Sequence, residues 1–265
     1  MKAESRISVV INTYNAAQHL ESVLQSVKDF DEVLVCDMES TDRTVEIARS
    51  LGCRIVTFPK AGHTIVEPAR EYAIHQATHE WVLVVDADEI VTPQLCRYLY
   101  TRVRSGQCPD GLYIPRHNRF MGRYTKAFTA DHQLRFFRRD NTHWPSVIHA
   151  APEVDGRVEK IAKNSDGVEL IHLADESVGM LLEKCDRYTD YDMLKKQQRH
   201  YGAGALIGRP LWKFLSFYFL QGHYRDGLRG LLFSGMKALY QFALVAKVIE
   251  KRLREEKPSD PAINS

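Results

Sequence analysis

The nine residues from Trp81 to Glu89, WVLVVDADE, decide the fold. An apolar run without polar alternation describes a strand covered on both faces, the habit of parallel sheets flanked by helices. The strand then delivers Asp86 and Asp88 one residue apart, with Glu89 behind them. Carboxylates so placed suit a hard divalent cation, magnesium or manganese, which takes oxygen ligands and keeps phosphates and waters in its other positions. Acid pairs at strand ends also serve as plain turn residues, so the neighbouring segments carry the decision.

Upstream, the same alternation recurs. Arg6 to Thr13, RISVVINT, is a β-branched run followed by a helical pattern with Leu20, Val23, Leu24 and Val27 on one face. EVLVC, residues 32–36, and CRIVTF, residues 53–58, are strand-like, with helices expected over 41–51 and 67–77. Apolar strands separated by helices of about ten residues argue a doubly wound α/β domain with a mostly parallel central sheet. After a further helix over 93–104 the pattern changes to mixed strands in GLYIPRHNRF (111–120), HQLRFFRR (132–139) and VEKIA (158–162). From Ser177 the chain turns helical and ends in a helical tail, with PSDPAINS (258–265) as a disordered terminus.

Composition bounds the class. A chain of 265 residues with 44% hydrophobic and 26% charged residues buries a real core. Cys36, Cys53, Cys96, Cys108 and Cys185 are odd in number and scattered, which fits a reducing cytoplasm and neither disulfides nor a cysteine metal site. The first apolar run stops at Asn12, too short for a signal peptide, and no uninterrupted apolar stretch approaches the roughly 18 to 20 residues of a spanning helix. A soluble or peripheral protein is expected. The net charge of +2 hides an asymmetry: residues 195–257 hold 13 Lys and Arg against 4 Asp and Glu, leaving the body acidic and the tail basic.

In an open parallel sheet, ligands bind outside the carboxyl ends of the strands. Three polar clusters fall there: Thr13, Tyr14 and Asn15; Asp37, Glu39, Ser40, Thr41 and Asp42; and Asp86 to Glu89. The first turn, NTYNAAQH, has no glycine, which disfavours a dinucleotide-binding dehydrogenase or a Rossmann methyltransferase, and there is no P-loop.

SVVINTYNAAQHLESVLQSV, DEVLVCDMESTDRTVEIARSLGCRI and EPAREYAIHQATHEWVLVVDADE, in that order, resemble the amino-terminal half of glycosyltransferase family 2, inverting enzymes of the GT-A fold. IPRHNRFMGRY, ADHQLRFFRRD, the Ile148–His149 pair and LIHLADESVGMLLEKCDRYT resemble a bacterial branch that builds lipopolysaccharide core and related envelope glycans. The resemblance implies a GT-A domain over residues 1–200 with a basic helical extension over 201–257. It implies a UDP-sugar donor, UDP-glucose first, and a sugar hydroxyl of an envelope glycolipid as acceptor. Thr13, Asn15, Asp37, Arg70 and Asp86 would serve the nucleotide and diphosphate. Asp88 and His149 would hold a divalent metal, Mg2+ or Mn2+, which neutralises charge on the departing diphosphate. An inverting displacement needs a carboxylate to take the acceptor proton, and Asp131 matches that position. Glu89, Gln133 and Arg135 would contact substrate or phosphates. The sequence departs from the branch at Ala150 and Ala151, where an acidic or hydroxyl residue is common, and at Glu71, where many members carry Asn. His172, in LIHLADE, is a second and weaker candidate for the role of His149 and is read first as the anchor of a strand end.

Two competitors come from other classes. A nucleotidyltransferase shares the α/β sheet and acidic metal site, but its glycine- and Arg/Lys-rich loop after the first strand is missing. A non-catalytic nucleotide-sugar-binding protein on the same fold conflicts with the presence of Asp37, Asp86, Asp88 and Asp131. The aromatic, basic stretch from Leu211 to Arg254 is expected to lie on the inner face of the cytoplasmic membrane without crossing it, with a homo-oligomer seam as the other use of such helices. No nucleic-acid partner is expected.

Overall fold

In the computed structural model, which describes residues 5–60, 66–124, 131–146, 151–162, 167–196 and 199–255, strand β1 (Ile7–Thr13) lies at the centre of a parallel set. It pairs with β2 (Glu32–Asp37) on one side and β4 (Trp81–Asp86) on the other, and β3 (Arg54–Thr57) extends the set beyond β2. The chain forms two compact units, residues 1–118 with 130–174, and residues 119–129 with 175–265.

Helices cover both faces of the parallel set for a reason visible along β1. Ile7, Val9 and Ile11 share a core with Leu20, Val23 and Leu24 of α1 (Ala17–Val27), Ala48 of α2 (Thr44–Ser50), and Leu95 and Leu99 of α4 (Pro93–Arg104). Val10, one residue out of phase, joins Ala69, Ala73 and Ile74 of α3 (Glu67–Gln76) in a second core. The period-two alternation of a strand thus feeds two helical layers, and apolar residues are needed on both sides. The start of α4 is fixed locally: Thr92 accepts the Leu95 N–H at 3.2 Å, and Pro93 opens the helix.

Connection order creates the cleft. The chain runs outward from β1 to β2 to β3, then α3 carries it back across the other face to β4, on the opposite side of β1. The switch point therefore lies between β1 and β4, and their carboxyl ends frame the ligand position of such sheets.

Beyond β4 the sheet becomes mixed. Its order is β3-β2-β1-β4-β8-β6-β12-β5, where β5 is Glu89–Val91, β6 Gly111–Phe120, β8 Asp131–Arg138 and β12 Leu170–Glu176. The short strands β7 (Arg123–Tyr124) and β11 (Val158–Lys160) flank β6, and β9 (Thr142–His143) pairs with β10 (Glu153–Val154) as a separate ribbon. β8 runs antiparallel to β4, with Leu83 opposite Phe136 and Trp81 opposite Arg138. Its amino-terminal half consequently lies toward the carboxyl end of β4. Trp81 stacks on Phe136 with ring centroids 5.2 Å apart, locking that register.

The second unit is largely helical, with α5 (Val178–Lys196), α6 (Ala203–Leu215) and α7 (Leu228–Glu255). Its core gathers Tyr201, Leu244, Val245 and Val248, with Met193 and Leu206 packed against them. Lys247 Nζ binds Asp186 Oδ1 at 2.8 Å and Asp190 Oδ1 at 2.6 Å, and Tyr240 OH donates to Asp192 at 3.0 Å, so α7 is stapled to α5. Between α6 and α7 a π-helical turn (Ser216–Leu220) leads into a 3-10 turn (His223–Asp226). Gly230 packs under that turn, where a Cβ would meet the His223 carbonyl oxygen. No uninterrupted apolar stretch of spanning length occurs, yet α7, with its charges included, is long and apolar enough to cross a membrane by length and composition alone. Arg229 and Lys237 are the charged residues of its first two thirds, while Lys247, Glu250, Lys251, Arg252, Arg254 and Glu255 crowd its carboxyl end, so the apolar window lies in the amino-terminal part.

Candidate active site

The carboxyl ends of β1 and β2 are knitted together by side chains. Thr13 and Asp37 are register partners, and Thr13 Oγ1 donates to Asp37 Oδ1 at 2.8 Å. Ser40 donates its N–H to Asp37 Oδ2 at 2.9 Å and its hydroxyl to Oδ1 at 2.6 Å. Asp37 is buried and organises the turn. Asn15 and Glu39 both take positive φ, at 48° and 60°, a region that non-glycine residues adopt chiefly where turns or sites demand it. Asn15 is held there by Ser40 Oγ, which accepts its N–H at 2.8 Å, and by Thr41, whose N–H donates to Asn15 Oδ1 at 2.8 Å. Tyr14 is exposed on the same rim, with Lys60 Nζ 3.4 Å over its ring.

At the end of β4 the two aspartates part ways. Asp86 is gripped by two guanidiniums: Arg70 Nη2 donates to Oδ1 and Arg135 Nη2 to Oδ2, each at 2.5 Å. Burial opposes ionisation, but Arg135, Arg70 and Arg116 outweigh it and hold this carboxyl far below the usual carboxylate range. Arg70 and Arg135, with side chains 12% and 6% exposed, both point to Asp86. Glu89, expected among the substrate contacts, is 0% exposed: Oε2 accepts the Asp86 N–H at 2.9 Å and Oε1 accepts from Arg116 at 3.2 Å. Trp144 closes the bottom, its ring 4.9 Å from the Arg70 guanidinium carbon and 5.7 Å from that of Arg135. Arg135 Nε and Nη1 are buried and carry no hydrogen bond among the described residues.

Asp88 faces the other way. Its side chain is 34% exposed, and Oδ2 lies 3.2 Å from His172 Nε2. His172 is the third residue of β12, paired in register with Glu89, and its side chain meets the DxD acid. The short strand β5 that creates this pairing follows the DAD turn and was not read from the sequence. Alternation along LIHL sets His172 on the face of Leu170 and opposite Ile171 and Leu173, which gives it a face without naming its partner. Gln133 lies on β8 opposite Ile114, and Asp131 opens the same strand opposite Arg116, on the edge where β4 ends. The Asp131 side chain and all of His149 lie outside the described residues.

The site thus offers one outward carboxylate beside an imidazole, set in front of an arginine-held acid. Among the described residues no group of three His, Cys, Asp or Glu side chains is close enough to hold a metal. Asp88 and His172 are a donor pair of the kind that a divalent cation can share with phosphate oxygens and waters, since magnesium is commonly bound through only one or two carboxylates.

The sequence profile of glycosyl transferase family 2 matches residues 8–152. The chain belongs to that family. Relatives include an uncharacterized glycosyltransferase of Rickettsia typhi, 27% identical over 98% of this chain and 92% of the relative. The lipopolysaccharide core biosynthesis glycosyltransferase LpsC of Rhizobium meliloti is 23% identical over 96% of this chain and 95% of its own length. Among solved structures, S. aureus TarS in complex with UDP-GlcNAc matches with a TM-score of 0.51 at 16% identity, covering 93% of this chain and 92% of that one. That likeness bears on the fold, and it agrees with the GT-A architecture of family 2: a parallel half carrying the DxD acids and a mixed half returning across it.

Proposed function

We propose that this family 2 glycosyltransferase moves a hexose, glucose in the first instance, from a UDP-sugar to a sugar hydroxyl of an envelope glycolipid such as lipopolysaccharide core, with inversion. The observation that carries the reading is the split of the DxD pair at the switch point: Asp86 ionised between Arg70 and Arg135, and Asp88 turned outward. The LpsC relative supports the acceptor class, and the UDP-GlcNAc bound to TarS supports the donor class.

In this reading the β1 and β2 rim, Thr13, Asn15 and Asp37, receives the nucleoside, and the arginine-held end of β4 receives the diphosphate. Asp88 and His149 would hold the divalent cation, with His172 beside Asp88 as a further donor, and the ion would supply positive charge against the leaving nucleoside diphosphate. Asp131 takes the proton from the acceptor hydroxyl as its oxygen bonds to the anomeric carbon and the bond to the diphosphate oxygen breaks on the opposite face. Gln133 and Arg135, on the same strand, orient substrate oxygens. The basic second unit keeps the enzyme on the cytoplasmic face of the inner membrane, where such an acceptor is found.

A thermal-shift series with manganese and UDP, CTP or ATP, followed by hydrolysis assays over UDP-, GDP- and dTDP-sugars, tests the reading. UDP with manganese should stabilise selectively and a UDP-hexose should turn over. Equal response to all three nucleotides would overturn it.

A further inference from the structure

Glu71 stands beside Arg70 on α3, yet its carboxylate turns away from the arginine cage and reaches the opposite ribbon. Oε2 accepts the Trp144 N–H at 2.7 Å, and Oε1 lies 3.0 Å from His143 Nδ1 and 3.1 Å from His75 Nε2. Trp144 follows directly on β9, and its buried ring, edged by Phe137 at 6.4 Å, lies against both guanidiniums that hold Asp86. One helix therefore supplies an arm of the cage through Arg70 and, one residue on, the tie that fixes the cage floor. Burial of Glu71 favours the neutral acid, but the Trp144 N–H and the two imidazoles outweigh it and keep the carboxyl below its usual range.

We propose that Glu71 is a positioning residue of the active site: by holding the Trp144 main chain it sets the indole under Arg70 and Arg135 and so fixes where their charge stands. The alternative, an inconsequential surface ion pair with two exposed histidines, accounts for the Oε1 contacts and leaves the Oε2 bond to a buried residue unexplained. The cation–ring contacts are directional, so the ring must be held at a set depth to steady two guanidiniums at once. A tie to the Trp144 main chain does this while the other carboxylate oxygen faces His143 and His75 rather than the two guanidiniums. The functional consequence rests on the reading of the arginine-held end of β4 as the diphosphate site.

The experiment pairs Glu71→Ala with Glu71→Gln, which keeps an acceptor oxygen for the Trp144 N–H. Ring-current displacement of the Arg70 and Arg135 side-chain resonances, read by NMR without nucleotide, reports the cage itself. It should collapse in Glu71→Ala and persist in Glu71→Gln. Affinity for UDP with manganese, by calorimetry, should fall about tenfold in the first variant, the scale of one lost charge-assisted hydrogen bond, and stay within about threefold in the second. Trp144→Leu tests the tie from its other end and should lose affinity to a similar degree. Unchanged arginine resonances in Glu71→Ala overturn the proposal whether or not UDP binds, as do shifted resonances with wild-type affinity. Absence of UDP binding in the wild type strikes the donor reading instead, and the resonances then decide the positioning role alone.

Discussion

Asp88 Oδ2 meets His172 Nε2 at 3.2 Å, across the edge where Glu89 pairs with His172 in the sheet. Two residues earlier in the chain the corresponding carboxylate has no such freedom, because Asp86 is closed by arginines. The two acids of the DxD motif therefore stand in different surroundings, one closed by guanidiniums and the other partly exposed beside an imidazole, and the two should fail differently when removed. Asp88→Ala should abolish metal-dependent UDP binding and leave unfolding unchanged, since a partly exposed carboxylate is lost from a polar rim. Calorimetric titration of UDP with manganese checks this, and unchanged affinity would mean that Asp88 is no part of the metal site.

Asp86→Ala should instead cost stability. The substitution leaves Arg70 and Arg135 buried without their counter-ion, and breaking a buried charge pair from one side typically costs about 3–5 kcal/mol. Urea unfolding measures it. A loss under about 1 kcal/mol would show that the two arginines find other partners or water.

Asp131→Asn should retain UDP binding and lose transfer by about 10² to 10⁴, the usual contribution of a general base. Glu89 is a poor substitute, because it is fully buried with one oxygen on the Asp86 N–H and the other on Arg116. Wild-type turnover in the variant would remove Asp131 from the mechanism.

The strands and helices of the first hundred residues were legible because burial on both faces writes itself as unbroken apolar runs, as in WVLVV and SVVIN. Convergence of Thr13, Asp37 and Asp86 on one edge followed from the sheet rule alone. The partners did not. Nothing in EPAREYA distinguishes an arginine that reaches Asp86 from one in solvent, and alternation in HQLRFF gives Arg135 a face without saying what covers it. Those facts depend on β8 lying antiparallel beside β4, a pairing between segments some fifty residues apart that local periodicity cannot encode. His172 was underread for the same reason: its meaning lies in the three-residue strand β5, too short to leave a pattern.

A pH dependence of stability should trace to Glu32, which ties strand ends together. It accepts from Ser8 Oγ at 2.5 Å, the Thr78 N–H at 2.7 Å, Thr78 Oγ1 at 2.8 Å and Arg54 at 2.8 Å. Burial alone would raise its pKa, but these bonds outweigh it and bring the group down to about 2 from 4.5. A folded-state value below the unfolded one means that the stabilisation is complete above about pH 4.5 and disappears as pH falls toward 2. The linkage amounts to at most about 3 kcal/mol, less where water reaches the carboxylate. Glu32→Gln should lower stability at neutral pH and flatten the acid limb between pH 4.5 and 2. Parallel stability curves for wild type and variant over that interval would rule Glu32 out as the titrating group.

The second unit should bind anionic membranes through the segment from α6 to the start of α7. Trp212, Leu220 and Leu228 are 64%, 72% and 71% exposed, and Ile207, Leu211 and Phe219 add to the same apolar surface. Cations lie among them: Lys213 stands over Phe217 with Nζ 4.9 Å from the ring, Arg225 over Tyr224 at 5.6 Å, and Lys237 over Phe233 at 4.9 Å. Lys247 is engaged by Asp186 and Asp190, and Arg254 by Glu250. Each Lys or Arg near an anionic leaflet contributes about 1 kcal/mol, weakened by salt, while exposed aromatic and aliphatic side chains enter the acyl boundary. A subunit seam would bury the same apolar side chains but would bring like charges together. The α7 helix also meets the length and composition of a spanning segment, so extraction is part of the test. Sedimentation with anionic vesicles should show binding at about 0.05 M salt and release near 1 M, and neutral vesicles should bind weakly. Retention at high salt would point to insertion across the bilayer. No binding to anionic vesicles at low salt, together with a concentration-dependent dimer in analytical ultracentrifugation, would assign the surface to a second copy of the chain.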